Sequence, residues 1–220
     1  MTLETVDKIF QYIAFLFAIS IHESAHAWMA NLRGDPTARM LGRITLNPVK
    51  HIDPIGTVLM PLISMFGHVP TLGWAKPTPV NPRNFRNPVL DDVLTSVVGP
   101  ISNFVVAIGA TMLLLGIKLT SAAGRAAVEN PLHTQSPLGA LCVLLFELLE
   151  INVLLAVFNL IPIPPLDGSH VLRHFLPDAI RQVYDMVGMF ALLALIYFAP
   201  GLLSKLMAPV LGIFLLVLNA

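Results

Sequence analysis

The sequence predicts an all-α polytopic membrane protein: a bundle of about 4–6 transmembrane helices with a membrane-associated extended or β-hairpin loop. Three observations carry this. Of 220 residues, 55% are apolar and only 12% charged, with a mean hydropathy of +0.76. A soluble monomer of that composition would expose far more apolar surface than is tolerated. Several apolar runs reach the length, about 20 residues, that a helix needs to cross a bilayer. Finally, 18 Pro and 14 Gly in so apolar a chain point to broken helices, which survive at membrane depth only where protein or a wet cavity satisfies them. Thirteen basic and 13 acidic residues cancel, which excludes a basic nucleic-acid binder, and the single Cys142 excludes internal disulfides and a cysteine-based metal site.

The chain reads as one domain over 1–220. The first span runs from about 6 to 32. Glu4 and Asp7 precede it instead of a basic region, no small-residue cleavage site follows Ile21, and His22 and Glu23 continue the same run, so it reads as a retained helix and not a signal peptide. Gly34-Asp35-Pro36 stops it. Core spans follow at about 94–119 and 138–161, the latter ending at Pro162. The C-terminal block 186–218 is broken by Pro200-Gly201 and fits either one kinked span or a tight helical hairpin. Gly109 and Gly116 are expected to allow close helix contact in the second core span.

Between the first two spans, 51–93 forms a membrane-associated loop. Its apolar piece 55–65 is short, flanked by Pro54 and Gly67 and interrupted by Pro61, so it either crosses or re-enters. The placement of basic residues favours a re-entrant or interfacial piece over a crossing one. Segment 33–93 holds Arg33, Arg39, Arg43, Lys50, Lys76, Arg83 and Arg86, whereas 120–137 holds only Arg125. Positive loops stay cytoplasmic. This places 33–93 and 162–185 inside and 120–137 outside a multi-pass protein of the cell membrane. The stretch 69–82 is rich in Pro and poor in helix formers, and so reads as an edge strand or hairpin.

The first span contains His22-Glu23-Ser24-Ala25-His26, an HExxH pattern. On a helix, residues i and i+4 lie about 40° apart, so both imidazoles project from one face, a turn apart. Such a pair suits a tetrahedral Zn²⁺. Glu23 lies near the metal without being a ligand, where a general base for water belongs. Three ionisable residues in an apolar helix are costly unless they serve a function. A third ligand must come from elsewhere. The third core span ends in Asn159-Leu160-Ile161-Pro162-Ile163-Pro164-Pro165-Leu166-Asp167-Gly168, whose prolines prevent regular helix. Asp167 there either points back into the bundle as a ligand or caps the following helix.

HExxH in an apolar first helix, paired with NxxPxPxLDG about 130 residues later, resembles the site-2 protease family of intramembrane zinc metalloproteases. The resemblance extends to Asn31–Pro36, to Gly99-Pro100-Ile101-Ser102-Asn103 and to Gly73-Trp74-Ala75-Lys76-Pro77. It implies that His22, His26 and Asp167 bind one Zn²⁺ per chain, that Glu23 is the catalytic base, and that Asn103 and Asn159 lie near the substrate or help hold the site. It also implies hydrolysis of peptide bonds within or near transmembrane helices of membrane-protein substrates in regulated intramembrane proteolysis, with the lipid bilayer as surroundings, no nucleic acid, and a homo-oligomer left open. Many members carry a PDZ domain between the second and third core spans. The segment Thr120 to Pro137 is far too short for one, so the chain looks like the short, PDZ-free group.

Of the other polar groups, His51 and Asp53 read as an interfacial turn, and His170 and His174 as packing residues without a second zinc. A non-enzymatic zinc carrier or channel is the alternative function, and Glu23 separates the two, because a carrier needs no free carboxylate beside its ligands. A substrate helix must unwind to be cut, and the proline-rich stretch 71–80, as an edge, would offer its exposed backbone new partners.

Overall fold

The computed structural model describes residues 3–67, 73–132 and 136–219. Helix α1 spans Leu3–Arg33 and the single turn α2 spans Thr37–Met40. A π-helical piece, Pro54–Leu59, leads into α3, Met60–Gly67. Then come α4, Pro88–Thr120; α5, Ala122–Glu129; α6, Pro137–Asn159; α7, Asp167–Arg173; α8, Asp178–Phe198; and α9, Pro200–Asn219. Among the described residues, α4, α6, α8 and α9 are long and apolar enough to cross a membrane. The protein is an all-α membrane protein. Helix α1 is also long enough, at 31 residues, but carries the ionisable HExxH residues on its inner face.

Helices α1, α4 and α6 form the central layer. Ala14 and Ala18 of α1 and Ala107 and Ala110 of α4 are buried, and these small side chains let the backbones approach. A second apolar core gathers Leu114, Leu145, Leu149 and Val153 with Ala127 of α5 and Leu218 of α9. The expectation for Gly109 and Gly116 fails: a side chain at either would meet open space, and the buried alanines do that work instead. Arg33 at the end of α1 donates from Nε to Asp91 Oδ1 at 2.6 Å, and Asp91 Oδ2 accepts the Asn87 N–H at 2.8 Å. This buried pair fixes α1 antiparallel to the start of α4.

The loop between them folds back along α1. The helical stretch 54–67 has 14 residues, about 21 Å of helix against a hydrocarbon core of about 30 Å. Asp53 starts it by accepting the N–H groups of Ile55 and Gly56 at 3.0 and 2.7 Å, and does not pair with His51. Residues 68–72, the first part of the expected strand or hairpin, lie outside the described residues. From 73 to 81 the chain is extended, but no strand ladder forms among the described residues. Pro77 and Pro79 have no N–H for one, and the N–H groups of Trp74, Lys76 and Thr78 bond instead to Gly56 O, His51 O and Glu23 Oε2.

Of the two expectations for the C-terminal block, the structure fits the kinked span and not the hairpin. Its first helix begins at Asp178, earlier than the apolar run suggests, because Pro177 sets the start and the polar Arg181, Gln182 and Asp185 are absorbed into the helix. His174 donates to Asp92 at 2.8 Å, and Arg181 donates to Leu176 O at 3.0 Å, so α8 begins beside the start of α4. Lys118, near the end of α4, donates to Leu218 O at 2.5 Å. The two ends of 178–219 therefore lie at opposite ends of the bundle. A hairpin of two full crossings would return Leu218 to Asp92. Helix α9 runs parallel to α4, and the pair α8–α9 traverses the bundle once.

Asp35 locks the loop to α1. It is fully buried and accepts from Thr37 N–H at 3.1 Å, Thr37 Oγ1 at 2.5 Å, Asn81 N–H at 2.7 Å and Asn84 Nδ2 at 2.8 Å. Burial alone would raise its pKa, but these bonds outweigh it and hold the carboxyl below the usual carboxylate range. Its contribution is therefore complete above the unfolded pKa of about 3.9 and is lost as pH falls through the folded value. Asp35→Ala removes the shared acceptor of these four partly buried hydrogen bonds and should cost roughly 1–3 kcal/mol, read as a lower thermal unfolding midpoint in detergent at pH 7. At pH 2 the wild-type advantage over Asp35→Ala should shrink.

Candidate metal centre

His22 and His26 lie a turn apart on α1 and are buried against α4 and α7. Each ring is held at its far nitrogen. His22 Nδ1 lies 2.6 Å from Asn103 Oδ1, and His26 Nδ1 lies 2.6 Å from the Thr95 carbonyl. A carbonyl oxygen only accepts, so His26 Nδ1 carries its proton. The Asn103 amide is oriented by donating from Nδ2 to Asn152 Oδ1 at 2.8 Å and Ala18 O at 3.3 Å, which leaves Oδ1 to accept from His22. Both neutral rings therefore present a lone pair at Nε2.

Those lone pairs converge. The two Nε2 atoms are 3.0 Å apart, and Asp167 Oδ2 lies 3.1 Å from one and 3.4 Å from the other. Asp167 Oδ2 is buried and accepts no hydrogen bond. Three acceptors facing one another without a donor repel unless a cation lies among them. Ligands about 2.05 Å from a tetrahedral zinc are about 3.3 Å from each other. The donor set and its spacing therefore fit Zn²⁺, and these are the residues the structure gathers as a metal-capable group.

Asp167 reaches this point because α6 ends at Asn159 and the prolines at 162, 164 and 165 prevent helix from continuing. The chain turns through bonds from Ile163 N–H to Ile161 O and from Leu166 N–H to Ile163 O, at 2.8 and 2.9 Å. Helix α7 then opens with Asp167 at its first position. A Cβ on Gly168 would collide with the Leu160 carbonyl, so only glycine lets α7 start this close to α6. His170 and His174 hold α7 to α4 through Asp92, at 3.3 and 2.8 Å.

Glu23 is half-buried beside the pair. Its Oε2 accepts the Thr78 N–H at 2.7 Å, and its backbone carbonyl accepts Thr78 Oγ1 at 2.9 Å. Arg43 Nη2 lies 4.0 Å from the same Oε2. Oε1 is left for other chemistry.

The sequence-predicted residues divide. His22, His26 and Asp167 come together, with Glu23 alongside. Asn103, expected near the substrate or as a residue that helps hold the site, is fully buried behind His22 with its amide committed to that ring, to Asn152 and to Ala18, where it orients His22. Asn159 returns its Nδ2 to Leu155 O at 2.9 Å and touches none of the three acceptors. Sequence reasoning missed Thr95, Asn152, Thr78 and Arg43. Asn152 had a signal, as a polar side chain inside an apolar span. Thr95 acts through its backbone, and residue type gives no sign of that.

An apolar helical bundle whose buried HExxH pair is completed by a carboxylate from a broken helix end is the architecture of a membrane metalloprotease. Residues 126–198 match the profile described as Peptidase family M50. Over 202 residues, 91% of this chain and 84% of its relative, the chain is 35% identical to a Bacillus subtilis (strain 168) protein named "Putative zinc metalloprotease YwhC". Over 171 residues, 77% of this chain and 58% of that relative, it is 30% identical to "Putative zinc metalloprotease Rip2" of Mycolicibacterium smegmatis (strain ATCC 700084 / mc(2)155). No solved structure matches. The chain belongs to Peptidase family M50, the site-2 protease family, and is a metalloprotease. The carrier alternative falls with that membership.

Gly99 of α4 faces the two imidazoles. A Cβ there would overlap His26 Nε2 and lie 2.7 Å from His22 Cε1. Gly99→Ala should therefore leave the helical content intact, measured by circular dichroism, while reducing bound zinc by at least about tenfold at a fixed free-metal concentration, because the methyl displaces ligand atoms that need placement within tenths of an ångström.

Proposed function

We propose that the protein is a multi-pass endopeptidase of the cell membrane. It binds one Zn²⁺ through His22, His26 and Asp167 and hydrolyses peptide bonds within or near transmembrane helices of membrane-protein substrates, in regulated intramembrane proteolysis. The observation that carries this reading is the convergence of three buried acceptor atoms beside a carboxylate that is not one of them. Zinc, when bound, supplies Lewis acidity and lowers the pKa of water toward neutrality.

The chain's own residues do the rest. Asn103 and the Thr95 carbonyl fix the ring orientations. Thr78 fixes Oε2 of Glu23, leaving Oε1 to take the proton from a water. The water oxygen bonds to the scissile carbonyl carbon, the C–N bond breaks, and Glu23 returns the proton to the departing amine. Glu23→Gln should keep zinc near wild-type stoichiometry and lose cleavage by about 10³-fold or more. His22→Ala or Asp167→Ala should lose tight zinc as well. Metal analysis of the purified variants and a cleavage assay separate the two effects, and near wild-type cleavage by Glu23→Gln would refute the base assignment.

The extended segment supports a route for the substrate. Trp74 donates its N–H to Gly56 O at 3.3 Å and accepts Thr57 Oγ1 at 2.8 Å. Lys76 donates to His51 O at 2.9 Å and accepts from Arg43, and Thr78 donates to Glu23. Residues 74, 76 and 78 thus face the body, and by the period of an extended chain 75, 77 and 79 face outward. Because 77 and 79 are prolines, that edge offers three carbonyls and a single N–H, on Ala75. An unwound substrate donates its N–H groups to those carbonyls, while its own carbonyls opposite the prolines stay unpaired and open to attack beside Glu23. Ala75→Pro removes the lone outward donor and should lower kcat/KM for a transmembrane substrate about fivefold, equivalent to one hydrogen bond of about 1 kcal/mol, with zinc content unchanged. Unchanged kcat/KM would exclude the segment as the substrate edge.

A further inference from the structure

Outside the three converging acceptors, the most demanding buried group is the Arg43 guanidinium. Arg43 is 4% exposed. A buried cation is costly unless its charge is compensated and its donors are used. Nη1 donates to Lys50 O at 2.7 Å, Nη2 donates to Lys76 O, and Nη2 also lies 4.0 Å from Glu23 Oε2. Glu23 is the only acidic side chain within salt-bridge distance of it among the described residues. The two carbonyls belong to stretches 26 positions apart, the turn before His51 and the extended segment 73–81. A planar fork with fixed donor directions spans both while still facing the carboxylate, whereas a lysine offers one compact charge on a flexible stem.

The neighbouring bonds show what this brace holds. His51, fully buried, donates from Nε2 to Thr45 O at 2.8 Å and accepts the Lys76 N–H at its backbone carbonyl at 2.9 Å. Two residues beyond Lys76, Thr78 takes Glu23 by both Oε2 and the backbone carbonyl. Arg43 thus fixes the segment at the point next to its grip on Glu23. It occupies the same carboxylate edge as the Thr78 N–H and leaves Oε1 as the edge open to water.

We propose that Arg43 is a positioning residue of the peptidase reaction: its guanidinium braces residues 76–78 against α1 so that Thr78 holds the Glu23 carboxylate in one orientation. The proposal rests on Glu23 serving as the base. Arg43 touches neither the converging acceptors nor the outward edge of the segment, which stays anchored through Trp74 and the Lys76 N–H. Its loss should therefore act on turnover more than on binding of metal or substrate.

Arg43→Lys and Arg43→Gln in the full chain, in detergent, test this with three readouts: bound zinc, amide hydrogen exchange of residues 73–81, and steady-state cleavage of a dye-labelled transmembrane-helix peptide. The expected result for both variants is wild-type zinc, a rise of about tenfold or more in exchange at Lys76 and Thr78 with α4 and α6 unchanged, a fall in kcat of about thirtyfold, and KM within about twofold of wild type. Full activity in Arg43→Lys would show that charge alone suffices and would overturn the positioning role. So would wild-type kcat in both variants, or exchange rising throughout α4 and α6 with loss of zinc, which would make Arg43 a general support of the fold. Glu23→Gln assayed in parallel separates the two ideas. If it is inactive while the Arg43 variants turn over normally, only the Arg43 role fails; if it cleaves normally, the base assignment fails and the role of Arg43 in the chemistry fails with it.

Discussion

The structure depends on a repulsion that it holds in place. Two imidazole lone pairs and a carboxylate oxygen point at one another across 3.0 to 3.4 Å inside an apolar bundle. Nothing in water would assemble such a group without a cation. It persists because each histidine is oriented from behind by an oxygen on α4, and because the α6–α7 turn leaves Asp167 nowhere else to face. Asn103 and the Thr95 carbonyl are as much part of the metal centre as the ligands, since they set which nitrogen carries the proton.

A second constraint follows from the first. A base that must accept a proton and return it needs one free oxygen in a fixed place. With Glu23 as the proposed base, this comes from a loop of about fifty residues that leaves α1 at Asp35 and folds back along it. Asp35 ties the far end of that loop, Asp53 starts its helical piece, and Thr78 closes on Glu23. The same extended segment that holds the base turns its other edge outward. In the proposed function, substrate presentation and base orientation are two faces of one strip of backbone, and the prolines that deny it a sheet partner also keep that edge poor in donors.

Much of the fold was legible because apolar run length and proline placement are local properties. The spans at α1 and α6 end where Asp35-Pro36 and Pro162 require, while α4 begins at Pro88, ahead of the expected start at about 94. The start of the C-terminal block was set too late because apolar content marks where lipid can be, not where helix begins: α8 starts at Asp178, eight residues before its apolar run. Its direction through the bundle depends on Lys118 meeting Leu218, a contact a hundred residues apart in sequence. Gly109 and Gly116 misled for a related reason. Small residues permit close packing, but which helix face turns inward is decided by neighbours.

By itself the sequence determined the membrane setting and the HExxH pattern, since 3.6-residue periodicity puts the two histidines on one helix face with Glu23 about 100° round from His22. Only the tertiary structure brought Asp167 to the histidines, because the distance between residues 26 and 167 is set by how α6 packs on α1. The tertiary structure likewise set Asn103 behind His22 and buried Arg43, in sequence one more basic loop residue, between the turn before His51 and the extended segment. Such roles depend on hydrogen-bond partners far along the chain, and a residue's type does not encode the partner it will meet.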